Sequence, residues 1–274
     1  MFKIVFKFIV IVIAFIALIA PFTFLKPIVI ADKAQQDKDK HAKPIAVEKP
    51  LHSVKLPKFS KIRDTKLKKK TFFDFLKPAI IKANNQLLTT RKQVLAIQQK
   101  LTLAQTLTKD EQAFLRKNVQ KYRITGKLNK QQQVQKLLRR IDIVPTELVL
   151  VQAANESAWG TSRFARIGLN FFGLWCYKKG CGMVPNARVE NGKHEVAAFQ
   201  SIDTAVEKYL YNINSHYAYD VFRTIRAQLR AHQQPLKPEI LATGLLPYSE
   251  RGADYVSDII DMLRHNARYI KVGA

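Results

Sequence analysis

Residues 145–160, PTELVLVQAANESAWG, read as the body of a helix whose apolar run closes on a polar and aromatic cluster. Pro145-Thr146-Glu147 is a helix start: Thr146 serves as cap or first-turn residue, and Glu147 sits favourably near the positive end of the helix dipole. The pattern predicts a helix to about Ala165. Beyond Gly168 the character changes. Residues 171–201, FFGLWCYKKGCGMVPNARVENGKHEVAAFQS, place Gly-rich and Asn-Gly turn signals between short apolar or alternating stretches, which predicts a small β-region. Helices then resume. Asp203 is the expected cap of one through Val206, Tyr209 and Leu210, and others are expected at about 219–232, 238–243 (closed by Gly244) and 253–268. One helix, a turn-rich strand region and several helices that must share a core predict an α+β fold, mainly α, with a small β-lobe over residues 143–274.

Working back towards the N-terminus, apolar residues recur at helical spacing from Thr71 to Arg140, in Phe72, Phe75, Leu76, Ile80 and Ile81 and later in Phe114, Leu115, Val119 and Tyr122. Thr108 and Glu111 form a capping-box signature before the second group. Gly126 separates that group from a further helix through Val134, Leu137 and Leu138. Residues 32–70, rich in Lys, Gln, Asp, Pro and Ala, read as a basic linker with too few large apolar residues for a core. The first 31 residues hold an uncharged run from Phe8 to Leu25 flanked by Lys3 and Lys7, a membrane-targeting segment. Val29-Ile30-Ala31 would suit cleavage, whereas the length of the run and Pro21 suit a retained anchor. The expected plan is therefore a signal peptide or anchor at 1–31, a linker at 32–70, a basic helical region at 71–142 and a larger domain at 143–274.

Charge shows the same division. The chain of 274 residues carries a net +25, but residues 143–274 hold 15 Lys and Arg against 12 Asp and Glu. The front half therefore carries +22 of the total. Many of its lysines and glutamines belong to solvated helix faces. The excess nonetheless predicts attraction to an anionic membrane or envelope surface. Nucleic acid is the other anionic partner to weigh, but an exported chain does not meet it, and no finger, RNP-like or helix-turn-helix signature appears.

Export also bears on the two cysteines, because thiols in an oxidising compartment tend to pair. Cys176 and Cys181 bracket four residues ending in Gly180, which can supply a positive φ, so a disulfide closing a small hairpin is expected. Two unlinked thiols are the plainer alternative. A zinc site lacks the second Cys pair or His pair it would need.

The residue with chemistry in this order of elements is Glu156, near the end of the first helix and facing the β-strands beyond it. A carboxylic acid at the junction of a helical lobe and a β-lobe suits a groove for a polymer, and Trp159, Phe171, Phe172 and Trp175 could supply the desolvation that raises its pKa. A single helical Glu is more often a solvated surface residue, so the local sequence has to decide.

That local sequence, Gln152-Ala-Ala-Asn-Glu156-Ser-Ala-Trp159-Gly160 and then Asn170-Phe-Phe-Gly173, resembles the signature of the bacterial glucosaminidase family, over about residues 145–270. The basic helical front resembles only the Bax-type branch of that family, found in Gram-negative bacteria. The resemblance implies a lysozyme-like domain that cleaves β-1,4 bonds of peptidoglycan glycan strands as an endo-β-N-acetylglucosaminidase, in the periplasm or cell envelope, without metal or organic cofactor. It implies Glu156 as general acid, Trp159 and Gly160 at the helix end, and Asn170 with Gly173 in an Asn-Leu-Phe-Gly turn in which Phe171 replaces Leu. Tyr248 falls on the family's cleft tyrosine and Tyr255 on a packing position. Trp159 reads as core, whereas Trp175 is the better candidate for stacking on a sugar face.

The family's second carboxylate falls on Arg188, a departure. Glu190 lies two residues on and so on the same strand face, displaced by about 6 to 7 Å. It is the candidate second carboxylate, with Glu195 on the next strand as fallback, although both also read as solvated hairpin positions. A substrate-assisted route, in which the sugar's acetamide attacks and Tyr248 steadies the charge, needs neither. Lytic transglycosylase chemistry and a non-catalytic, membrane-anchored peptidoglycan binder are the competing functions. Asn170-Phe-Phe-Gly173 favours the glucosaminidase branch, and Arg188 favours the binder.

Overall fold

A computed structural model of the protein describes residues 49–185 and 194–270. The expected anchor at 1–31, the first part of the linker, and Arg188 and Glu190 lie outside the described residues. Among the described residues, no helix is long and apolar enough to cross a membrane.

A long helix, α1 (Thr65–Thr102), spans both hydrophobic cores of the protein. It begins six residues earlier than the apolar spacing predicts, because Asp64 caps it by accepting the amide of Leu67 at 2.8 Å. Its first half buries Phe72, Phe73, Leu76, Ala79 and Ile80 in the main core, and its second half buries Val94 and Ile97 in a separate cluster. That second cluster is completed by α2 (Lys109–Lys121) and α3 (Lys130–Arg140), through Leu115, Val134 and Leu137. The Thr108 and Glu111 capping box is present, and Asn129 with Gln132 forms another.

The main core is shared by α1 and the C-terminal half: α4 (Thr146–Glu156), α5 (Arg163–Gly168), α6 (Ile202–Ser215), α7 (Asp220–Ala231), α8 (Pro238–Ala242) and α9 (Ala253–Ile270). The boundary expected at 142/143 therefore falls inside one packed unit. Composition separated the halves by charge, yet Phe72 and Phe73 meet the indole of Trp159 edge-on, at 5.6 and 5.3 Å between ring centroids. The end of the expected linker is also docked. Leu51 donates its amide to Ile167 at 2.8 Å, and Phe59 is 2% exposed between Phe72 and Phe75. Val54, Leu56 and Ile62 pack against the same core, so a stretch with too few apolar residues to fold alone is fixed by what it docks on.

Two further expectations shift. The predicted helix to Ala165 breaks after Glu156, because Ala158, Trp159 and Gly160 all have positive φ. The Ser157 hydroxyl stabilises the break by donating to Ala153 O and accepting the Gly160 amide. The cap of α6 is Ser201, not Asp203, which lies in its first turn. The β-lobe is a three-stranded sheet of β1 (Trp175–Cys176), β2 (Gly182–Met183) and β3 (Glu195–Ala197), in the order β1-β3-β2. It is not the simple hairpin expected: β1 and β2 flank β3, each antiparallel to it.

The junction before α4 is held by charge. Asp142, 2% exposed, accepts two hydrogen bonds from Arg230 at 2.9 and 3.0 Å and lies 3.5 Å from Arg91. Burial pushes its carboxyl up, but the Arg230 hydrogen bonds and the surrounding guanidinium charges outweigh burial and hold it below the usual range. Buried Arg226 donates to the carbonyls of Arg139, Asp142 and Ile143, and desolvation brings its pKa down to about 10. These contacts clamp residues 139–143, and hence the start of α4, to α1 and α7.

Candidate active site

Helix α4 is buried on every side, with Leu148 to Ala154 all in the core and Gln152 polar among them, so it runs through the core and delivers its last residue, Glu156, beside the Gly173 turn. The carboxyl is partly buried. Desolvation raises its pKa, against hydrogen bonds from Tyr255 and Asn155 that lower it. The negative end of the α4 dipole works in the same direction as burial.

The turn after α5 passes beside this carboxyl. Leu169 adopts a left-handed conformation, and Asn170, 2% exposed, donates to the carbonyls of Leu174 and Ala197, each at 2.8 Å. Its side-chain oxygen accepts the amides of Phe172 and Leu174. All of this capacity goes to backbone, so the Asn170 side chain holds the turn that the resemblance implies. Gly173 has φ +63°, and a Cβ there would lie 3.6 Å from a Glu156 oxygen, so conformation rather than space calls for glycine.

Tyrosines complete the surroundings. Tyr248 donates to Phe172 O at 2.8 Å and stacks on Tyr255 with ring centroids 5.4 Å apart. Phe172 in turn stacks on Tyr209 at 4.2 Å, and Tyr219 lies 5.9 Å from Tyr248. Burial pushes all four phenols up, Tyr219 to about 12, with Tyr-Tyr and Tyr-Glu156 repulsion adding to it. They are therefore neutral donors at physiological pH. Tyr248 packs in this cluster beside Tyr255, whose hydroxyl accepts the Gln152 side-chain amide at 3.0 Å.

Gln152, Tyr209 and Tyr219 join the site without having been expected there. Gln152 had a signal: it is a lone amide in an apolar run, four residues before Glu156 and so on the same helical face. Tyr209 and Tyr219 had none, because their approach depends on how α6 and the 3-10 turn Tyr217–Tyr219 pack.

On the β-lobe, Trp175 is 53% exposed and its ring lies 4.0 Å from that of His194. Cys176 and Cys181 are joined by a disulfide. Glu195, 6% exposed, accepts the amides of Gly180 and Gly182, each at 2.9 Å. The fallback acid is therefore engaged in holding the loop that the disulfide closes. The two sulfurs and the Glu195 carboxylate oxygens cluster within 4.8 Å, but the sulfurs are bonded to each other and are not thiolate ligands.

A groove of about 1020 Å³ lies along α1, lined by Asp74, Lys77, Pro78 and Ile81 among others. Its acid, Asp74, is paired with exposed Lys70. Chemistry rather than volume thus singles out the region of Glu156.

A family model described as mannosyl-glycoprotein endo-beta-N-acetylglucosaminidase, the glucosaminidase family, matches residues 131–268. The chain belongs to this family. The glucosaminidase domain includes every residue of the Glu156 surroundings and begins inside α3, so α1 packs against it from outside the matched stretch. A curated relative, Protein bax of Escherichia coli (strain K12), is 39% identical over 134 residues, 49% of this chain and 47% of that protein. The chain thus spans about half the length of the curated relative it matches. No solved structure matches the chain.

Proposed function

We propose that the glucosaminidase domain hydrolyses β-1,4 bonds in peptidoglycan glycan strands, as an endo-β-N-acetylglucosaminidase of lysozyme-like arrangement with Glu156 as general acid. The observation that carries this reading is the partly exposed Glu156 carboxyl with its raised pKa, set beside a glycine turn and ringed by neutral tyrosines. A carboxyl kept protonated into the range where ordinary carboxyls have ionised can give its proton to the leaving glycosidic oxygen. The oxocarbenium-like centre that forms then needs a nucleophile or a second acid opposite. Glu190 fills that role in this reading, and its displacement suits a water-activating carboxyl, which needs about 6.5 to 9.5 Å of separation, better than a covalent nucleophile at about 5 to 5.5 Å. The acetamide of the substrate is the alternative, with Tyr248 steadying the charge. The exposed indole of Trp175 is the proposed platform for a sugar face.

We place this activity in the periplasm or envelope of a Gram-negative bacterium, with the basic front attaching to an anionic surface through many weak contacts. Raising salt should release the protein from anionic vesicles, and undiminished binding would reject that attachment.

Digestion of purified sacculi and mass spectrometry of the products test the reaction. Reducing N-acetylglucosamine ends are expected from the wild type, and their loss from Glu156→Gln by roughly a hundred- to ten-thousand-fold. Anhydromuramyl ends would replace the reading by lytic transglycosylation, and no cleavage at all by a binding role.

A further inference from the structure

We propose that the pocket between Trp159, the end of α4 and one face of α9 is a second sugar-binding subsite, which takes a neutral N-acetylated hexosamine unit of the glycan strand. The inference deepens the reading of the domain as a glycan hydrolase and rests on it for the polymer.

The pocket has a volume of about 410 Å³, within the range of small-molecule sites. Both halves of the chain build it. Lys69 comes from α1, Asn155 and Trp159 from the end of α4 and the turn after it, and Asp258, Asp261, His265 and Asn266 from α9. Because Lys69 lies outside the matched residues 131–268, the glucosaminidase domain alone does not complete the pocket. Asn155 sets its place relative to the acid, since it lines the pocket and donates to Glu156 Oε1 at 3.4 Å. The other carboxyl oxygen, Oε2, is the one nearest the Gly173 turn. A polymer bound at Glu156 thus has this pocket as its neighbour on the Asn155 side.

Charge selects a neutral occupant. Asp258 is paired with Arg251 at 2.7 Å, and Asp261 lies 3.6 Å from Arg264. The Lys69 ammonium sits over the Trp159 ring, 5.4 Å from its centroid. Both carboxylates are paired and the ammonium is set against an aromatic face, so the lining keeps no charge for an ionic ligand.

The remaining groups suit a sugar. The half-buried indole of Trp159 offers apolar surface to C–H groups, and the carboxylates keep lone pairs for hydroxyls. His265 Nδ1 lies 2.7 Å from Asp261 O. A carbonyl only accepts, so the proton of the neutral ring is on Nδ1, and Nε2 is left to accept from a hydroxyl. Asn266, 2% exposed, is the most buried residue of the lining and forms its floor. Its Nδ2 donates to Met262 O at 2.7 Å, whereas its buried Oδ1 has no hydrogen-bond partner among the described residues. Buried acceptors are nearly always satisfied, and the N–H of an acetamido group is a donor of the kind this one lacks.

The chain has two tryptophans, Trp159 and Trp175, so full-length protein carrying Trp175→Phe reports on the pocket through Trp159 fluorescence alone. Glu156→Gln in the same chain prevents turnover under the proposed mechanism. Titration with the β-1,4-linked tetramer of N-acetylglucosamine should shift the Trp159 emission saturably. Asp258→Ala and His265→Ala, both outside the core, should each weaken the apparent Kd by about two- to tenfold, the size expected for losing one hydrogen bond. The deacetylated, cationic tetramer should bind at least about tenfold more weakly than the acetylated one, having lost the acetamido contacts. An unresponsive Trp159 would overturn the proposal, as would unchanged affinity in both α9 variants or tighter binding of the deacetylated tetramer. Emission is read without turnover, which separates the two readings. A silent Trp159 in a protein whose wild type cleaves sacculi rejects the subsite alone, and a responding Trp159 in one that cleaves nothing upholds the subsite and rejects the hydrolase.

Discussion

Glu156 sits in an environment that penalises its charged form, and the fold bears that cost. A carboxyl whose folded pKa is raised stabilises the fold only while protonated, and the contribution is lost as pH rises through the folded pKa. Glu156→Gln should therefore raise Tm near neutral pH, and the advantage should vanish below about pH 4, where the wild-type carboxyl is protonated folded or unfolded. Thermal melts at both pH values check this. Gly160 illustrates a different single-residue demand. It has φ +75°, and a Cβ there would meet the Phe59 ring at 2.5 Å. Gly160→Ala should cost about 2 to 4 kcal/mol in chemical unfolding, from left-handed strain plus overpacking. Phe59→Ala in the same chain should relieve the overpacking part, so the two changes should be non-additive. The sequence carried Glu156, Gly160 and Tyr248 because they lie in motif-like runs. It did not carry the bonds of Gln152 to Tyr255 and Tyr209, since hydrogen bonds between α4, α6 and α9 depend on packing that no local pattern encodes.

Single elements were legible to different degrees. The helices at 202–215, 220–231 and 253–270 match their apolar periodicity, because amphipathic spacing and capping are local properties. Periodicity alone did not show the break after Glu156, although the resemblance put the helix end at Trp159 and Gly160: Ser157 and Ala158 are ordinary helix residues, and the turn is held by the Ser157 hydroxyl and by the Phe59 ring docked against Gly160. The β-lobe was recognised as strands, but its order was not, since a two-residue strand has too little pattern to name its neighbour. This lobe depends on a cross-link and a carboxylate more than on sheet area. Reducing the Cys176–Cys181 bond, or changing Glu195→Gln, should raise amide exchange at residues 177–183 while leaving α1 and α4 protected. Hydrogen exchange by mass spectrometry reads this directly, and equal loosening of the helices would contradict it.

Across the whole molecule, the two halves that composition separates are joined by Asp142 and its arginines. Asp142→Asn should destabilise the protein by about 3 kcal/mol or more, because buried Arg226 and its neighbours would lose their counter-charge. Asp142 is held below its ordinary pKa, so its contribution is complete above about pH 4 and is lost as pH falls through the folded value. Urea unfolding of wild type and variant should therefore converge in acid. The reach of α1 has a consequence for biosynthesis. Phe72, Phe73 and Ile80 leave the ribosome well before the helices that cover them, and even Asn84 precedes its hydrogen-bond partner Val144 by 60 residues. Until α4 and α6 emerge, the nascent chain displays a row of phenylalanines beside a polycationic surface. A ribosome stalled before residue 145 would thus hold out an adhesive, chaperone-seeking helix, which makes the second half of the chain the partner that keeps the first half from aggregating.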